Sequence, residues 1–174
     1  MFGKVFRELG INMVYGESGI GKTISTIKAL NEEGITPLLL DFDDNDSPTE
    51  NKCKYIHING DMYISKKHLS KIPTDSVIIV DTWQTYLDAG GTMEHLEAIR
   101  DNGNTIIIIA HSKPIATKKD IPDMDSKYAN HLASKLYLEY VKPAKAAEST
   151  NLIVMKSRGY KGPRVVKNWM RDTE

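Results

Sequence analysis

Four short apolar runs punctuate the first two thirds of the chain. They are Ile11 to Tyr15, Thr36 to Phe42 with Leu38-Leu39-Leu40 unbroken, Ser76 to Asp81 with Val77-Ile78-Ile79-Val80, and Thr105 to Ala110 with Ile106-Ile107-Ile108-Ile109. The cores of the last three show no apolar–polar alternation. Continuous apolar strands of this length suit a parallel sheet covered on both faces. Between the runs the pattern turns helical. Thr23 to Glu33 predicts a helix ending at Gly34, Ser65 to Ile72 a short one, and Thr92 to Arg100 a third, stopped by Asn102-Gly103. Strand and helix in alternation predict an open α/β sheet with right-handed crossovers.

The character changes after Ala110. Ser112 to Ser126 is polar, carries Lys113, Lys118 and Lys119, and contains Pro114 and Pro122. It reads as a long loop, and loops of this length are often functional. Strands return at Lys135–Val141, Asn151–Ser157 and Arg164–Trp169, joined in hairpin fashion by Pro143–Ser149 and Gly159–Pro163. The 174 residues show no repeat, low-complexity tract or linker, and 40% are hydrophobic. One domain spanning 1–174, with a sizeable core, is expected.

Composition narrows the class. No apolar run approaches the roughly 20 residues of a membrane span, so no membrane partner is expected. Met1 to Gly10 mixes charged and apolar residues and does not read as a signal peptide. A lone Cys53 makes no internal disulfide and suggests a reducing cytoplasm. The net charge is zero, but residues 1–112 carry −6 and residues 113–174 carry +6. That asymmetry suggests either a basic surface on the C-terminal third or simply a Lys-rich solvated face.

The chemistry centres on Gly16-Glu17-Ser18-Gly19-Ile20-Gly21-Lys22-Thr23. It fits the phosphate-loop pattern G-x-x-x-x-G-K-S/T between a strand and a helix. Glycines let such a loop turn several backbone N–H groups inward, and the following helix aims its positive end at the same point. Lys22 supplies a cation for β/γ-phosphates, and the Thr23 hydroxyl supplies one ligand to Mg²⁺. Asp81 closes a buried strand and is the expected carboxylate partner of that ion, held directly or through water.

Asp41-Phe42-Asp43-Asp44-Asn45-Asp46 ends the second strand. Crowded carboxylates need a cation or full solvation. The segment is either an exposed acidic turn or the source of a base, Asp43 or Asp41, that polarises an attacking water. His111 follows the fourth strand, where it could cap the strand or hydrogen-bond a γ-phosphate. His57, His68, His95 and His131 are scattered and carry no assigned role. Lys156-Ser157-Arg158-Gly159 ends a late strand. It is either a surface basic pair or a cation pair offered to an anion outside the subunit, where an arginine given in trans is worth on the order of 10³-fold or more in rate.

In this order these features resemble the RecA-like P-loop ATPase superfamily over roughly Ile11 to Trp169. The more telling elements are Val80-Asp81-Thr82 and Lys156-Ser157-Arg158. The resemblance implies a three-layer P-loop core, its mostly parallel sheet extended by C-terminal antiparallel strands. It implies ATP and Mg²⁺ as cofactors, and a hydrolase stimulated by DNA. Asp43 matches the position of the family's catalytic Glu, with a shorter side chain. His111 matches the sensor position, and Lys156 and Arg158 match the cations inserted into a neighbour's site. Ser112 to Ser126 matches a DNA-binding loop, so Lys113, Lys118 and Lys119 are expected to meet single-stranded DNA. A homo-oligomer follows, as a hexameric ring or a filament. The small size is similar to phage ATPases of recombination and annealing, acting in the host cytoplasm.

Two rival readings remain. Asp41-Phe42-Asp43 also resembles the Asp-x-Asp of nucleotide kinases, but residues 112–134 contain no Arg for the lid such kinases carry. The substitution of Asp43 for Glu also fits a non-hydrolysing, nucleotide-dependent assembly module.

Overall fold

The computed structural model describes residues 5–17, 21–42, 53–57, 72–111, 131–132, 134–141, 149–167 and 169. Strand β1 is Ile11–Gly16, helix α1 Lys22–Asn31, strand β2 Leu38–Asp41, strand β3 Lys54–His57 and strand β4 Val77–Asp81. Helix α2 is Trp83–Asp88, helix α3 Met93–Asp101, strand β5 Thr105–His111, strand β6 Ser134–Val141, strand β7 Ser149–Ser157 and strand β8 Val165–Val166.

The strands form one sheet in the order β3-β2-β4-β5-β1-β6-β7-β8. Every pairing from β3 to β6 is parallel. The β6–β7 and β7–β8 pairings are antiparallel. A mostly parallel α/β sheet with an antiparallel C-terminal extension is therefore what the apolar runs build.

Those runs pack as their lack of alternation predicts. In β5, Ile106 and Ile108 join one buried cluster while Ile107 and Ile109 join the other, on the opposite face. Side chains of successive strand residues point to opposite faces, so an unbroken isoleucine run requires cover on both. Helix α1 covers one face with Ile27, Ala29 and Leu30. Helices α2 and α3 cover the other with Trp83, Tyr86, Met93, Leu96 and Ile99. The result is three layers.

Two elements escape the pattern. β3 is four residues of mixed polarity, and it forms because β2 offers it a parallel partner from Leu38↔Lys54 to Asp41↔His57. α2 has few strong helix formers, but Trp83 and Tyr86 are buried, and tertiary burial holds short helices that propensity does not. Its start is fixed locally, since the Thr82 N–H donates to Thr85 Oγ1 at 3.1 Å. β8 is only Val165–Val166, shorter than the expected Arg164–Trp169, and β7 starts at Ser149. The helix expected at Ser65–Ile72 lies outside the described residues except for Ile72.

Candidate functional site

Each of four parallel strands ends on a residue of chemical interest: β1 on Gly16, β2 on Asp41, β4 on Asp81 and β5 on His111. All share the carboxyl edge of the sheet. Open parallel sheets bind ligands beyond this edge. The register places Asp41 opposite Asp81 and Gly16 opposite His111. β5 reaches two residues farther than β4, because Asp81 pairs with Ile109.

The phosphate-loop segment is described at Gly16, Glu17 and Gly21 to Thr23; Ser18, Gly19 and Ile20 lie outside the described residues. Gly21 has φ 88 and ψ 27 and caps helix α1. A side chain there would be strained by that backbone and not by crowding, since an added Cβ would meet nothing closer than Ser25 Oγ at 3.7 Å. The first turn of α1 holds no acidic residue, so no carboxylate of its own cancels the positive end of the helix.

Lys22 is 4% exposed. Its Nζ donates to the carbonyls of Gly16 at 3.1 Å and Glu17 at 2.6 Å. It also lies 3.3 Å from His111 Nδ1. A buried ammonium needs such acceptors, and the loop's own carbonyls bring it to the point where strand β1 turns into the loop. Thr23 Oγ1 donates to Asp81 Oδ2 at 2.8 Å. Residues 58 positions apart in sequence thereby present a hydroxyl and a carboxylate side by side. That pair is the oxygen donor set a hard divalent cation takes, with water and phosphate oxygens completing the shell. The chain fits a Mg²⁺-nucleotide here on that chemistry.

Asp41 is fully buried. Neighbouring positions on paired parallel strands face the same way, so Asp41 and Asp81 lie on one face of the sheet. The backbone continues the link, with the Phe42 N–H donating to the Asp81 carbonyl at 2.7 Å. Phe42 then meets Tyr86 edge-on at 5.4 Å, and Tyr86 stacks on Trp83 at 5.6 Å. An aromatic cluster thus underlies the acidic edge. Asp43 lies outside the described residues, as do Lys113, Lys118 and Lys119.

The late cations lie elsewhere. Ser157 pairs with Ser134, and Ser134 with Asn12. Ser157 and the Arg158 that follows are therefore level with the start of β1, at the amino edge of the parallel strands. The phosphate loop leaves from the far end of that strand, roughly 13 Å away at about 3.3 Å per residue. Lys156 is half-buried and Arg158 exposed. Arg158 shares a cleft of about 370 Å³ with Arg7, Leu9, Arg100 and His131. The sequence shows no sign of Arg7 as a neighbour of this turn, because 151 residues separate them.

No protein-family profile matches the chain, and no curated protein sequence matches it significantly. Solved structures do. The flagellar accessory protein FlaH from Methanocaldococcus jannaschii superposes with a TM-score of 0.62 over 93% of this chain and 85% of its own, at 12% identity. The RadB recombinase superposes with a TM-score of 0.66 over 93% of this chain and 87% of its own, at 14% identity. At such identities the likeness concerns the fold.

Proposed function

We propose, from the RecA-like P-loop fold this chain shares with those proteins, that it binds ATP with Mg²⁺ and hydrolyses it as part of a homo-oligomer acting on single-stranded DNA. The observation that carries the reading is the Thr23–Asp81 contact at 2.8 Å, set beside the buried Lys22 ammonium. It joins the phosphate-loop helix to the acidic strand end in the arrangement that phosphoryl transfer uses. Mg²⁺, when bound with ATP, neutralises charge on the β- and γ-phosphates.

The chain's residues then take defined parts. Backbone N–H groups around Gly21 and the start of α1 receive phosphate oxygens. Lys22 exchanges the Gly16 and Glu17 carbonyls for phosphate. Thr23 and Asp81 hold the cation. His111, beside Lys22, senses the terminal phosphate. Asp43, in the segment after β2, orients the attacking water. Lys156 and Arg158 sit at the wrong edge to reach their own loop, which supports their delivery to a neighbour's site. Lys113, Lys118 and Lys119 meet the DNA backbone, and phosphate contacts of this kind are salt-sensitive. The RadB recombinase among the structural neighbours favours a recombination setting.

The deciding experiment is ATP turnover with and without single-stranded DNA. Stimulation by DNA in the wild type, and turnover lost with weaker triphosphate binding in Lys22→Ala, are expected. Full activity in Lys22→Ala would remove the phosphate-loop assignment. Tight ATP binding without phosphate release, with or without DNA, would convert the reading to an assembly module. Phosphate transfer to an added nucleotide, indifferent to DNA, would make it a kinase.

A further inference from the structure

Arg7 stands out at the amino edge of the sheet. Its backbone N–H and carbonyl are both hydrogen-bonded to one side chain. The Arg7 N–H donates to Asn12 Oδ1 at 2.8 Å, and Asn12 Nδ2 donates back to the Arg7 carbonyl at 3.1 Å. Asn12 is fully buried on β1, and its Nδ2 also donates to the Ile106 carbonyl at 3.1 Å. The side chain of Arg7 then crosses to the Arg158–Gly159 turn, where Nη1 donates to the Arg158 carbonyl at 3.4 Å.

Gly159 makes room for it. A Cβ at this position would come within 2.7 Å of Arg7 Nη1, and the backbone has φ +80. A side chain at 159 would therefore both strain the turn and displace the guanidinium. Arg7 and Arg158 also line the same cleft. The Arg7 guanidinium donates one hydrogen bond to a backbone carbonyl of the turn, while the Arg158 side chain is exposed.

We infer that Arg7 is a positioning residue: anchored by Asn12 to the strand that leads into the phosphate loop, it sets the Arg158–Gly159 turn so that Arg158 is presented to a neighbouring subunit's nucleotide. This rests on the in-trans role of Arg158 proposed above. It also supplies a physical link within one subunit. β1 carries the phosphate loop at one end and, through Asn12 and Arg7, the arginine turn at the other.

The test uses full-length protein in three arms. First, Arg7→Ala should lower kcat roughly 10- to 100-fold, the cost of misplacing a reacting group by about an ångström. ATP affinity measured on dilute subunits should be unchanged. Second, Arg7→Ala added to Arg158→Ala should bring no further loss, because residues acting through one another are not additive. Third, Arg7→Ala mixed with Lys22→Ala should regain turnover, since each supplies what the other lacks across the interface. Arg7→Lys, which keeps charge and stem, should be partly active.

Full kcat in Arg7→Ala, or a further loss in the double variant equal to that of Arg7→Ala alone, would overturn the inference. So would failure of the Arg7→Ala and Lys22→Ala mixture when an Arg158→Ala and Lys22→Ala mixture recovers. If that last mixture also fails, the in-trans reading itself falls. The two failures are thus distinguishable.

Discussion

The Tyr86 hydroxyl donates to the Thr92 carbonyl at 2.7 Å and accepts from the Thr92 N–H at 3.1 Å. It closes the turn between α2 and α3 and sits beneath the acidic edge against Phe42 and Trp83. Burial pushes its pKa well above the ordinary tyrosine value; the Thr92 bond opposes this and Glu94 adds slightly to it. The unfolded chain therefore loses this proton first as pH rises. The stabilisation is fully present below about pH 10, the unfolded value, and declines as pH climbs toward the folded one. Urea unfolding between pH 9 and 11 should show stability falling by up to about 1.4 kcal/mol per pH unit from this group. Tyr86→Phe should remove that component, and an unchanged alkaline slope in the variant would contradict the assignment. At the same scale, Gly21, Lys22 and Thr23 are legible in sequence because adjacent residues carry the whole requirement. Asp41 is not: its place beside Asp81 follows only from strand register.

Elements show a similar division. The four apolar runs announce β1, β2, β4 and β5 because a strand buried on both faces leaves no polar position to blur the signal. β3 and α2 go unannounced because a partner strand and a buried Trp83 hold them, and neither is a local property. Between elements, Asn104 is a buried polar joint. Its Oδ1 accepts from the Ser76 N–H at 2.9 Å. Its Nδ2 donates to the carbonyls of Pro73 and Ile99, both at 2.9 Å. It thus ties the end of α3 to the entry of β4. Asn104→Ala should cost about 2–3 kcal/mol, the penalty for leaving buried backbone groups unmatched. A lowered denaturant midpoint with an unchanged slope is the expected signature. A midpoint matching the wild type would mean that water satisfies these groups.

For the whole molecule, the decisive fact is that the phosphate loop and the Arg158 turn occupy opposite edges of one sheet. Under the proposed in-trans role of Arg158, the site is completed by stacking subunits, carboxyl edge to amino edge, and such heterologous contacts generate rings or filaments. Turnover per subunit should therefore fall on dilution while nucleotide binding per subunit persists. Equal specific activity at all concentrations down to demonstrated monomer would exclude a shared site.

Local order along the chain was sufficient to determine the phosphate loop, the strand and helix that flank it and the two-sided core, because each depends on residues next to one another or on a period of burial. Which strand ends meet, which edge carries Arg158, and that Arg7 reaches its turn were decided only by the tertiary structure. Strand order and register are set by long-range pairing, and a sequence of apolar runs is compatible with many such pairings.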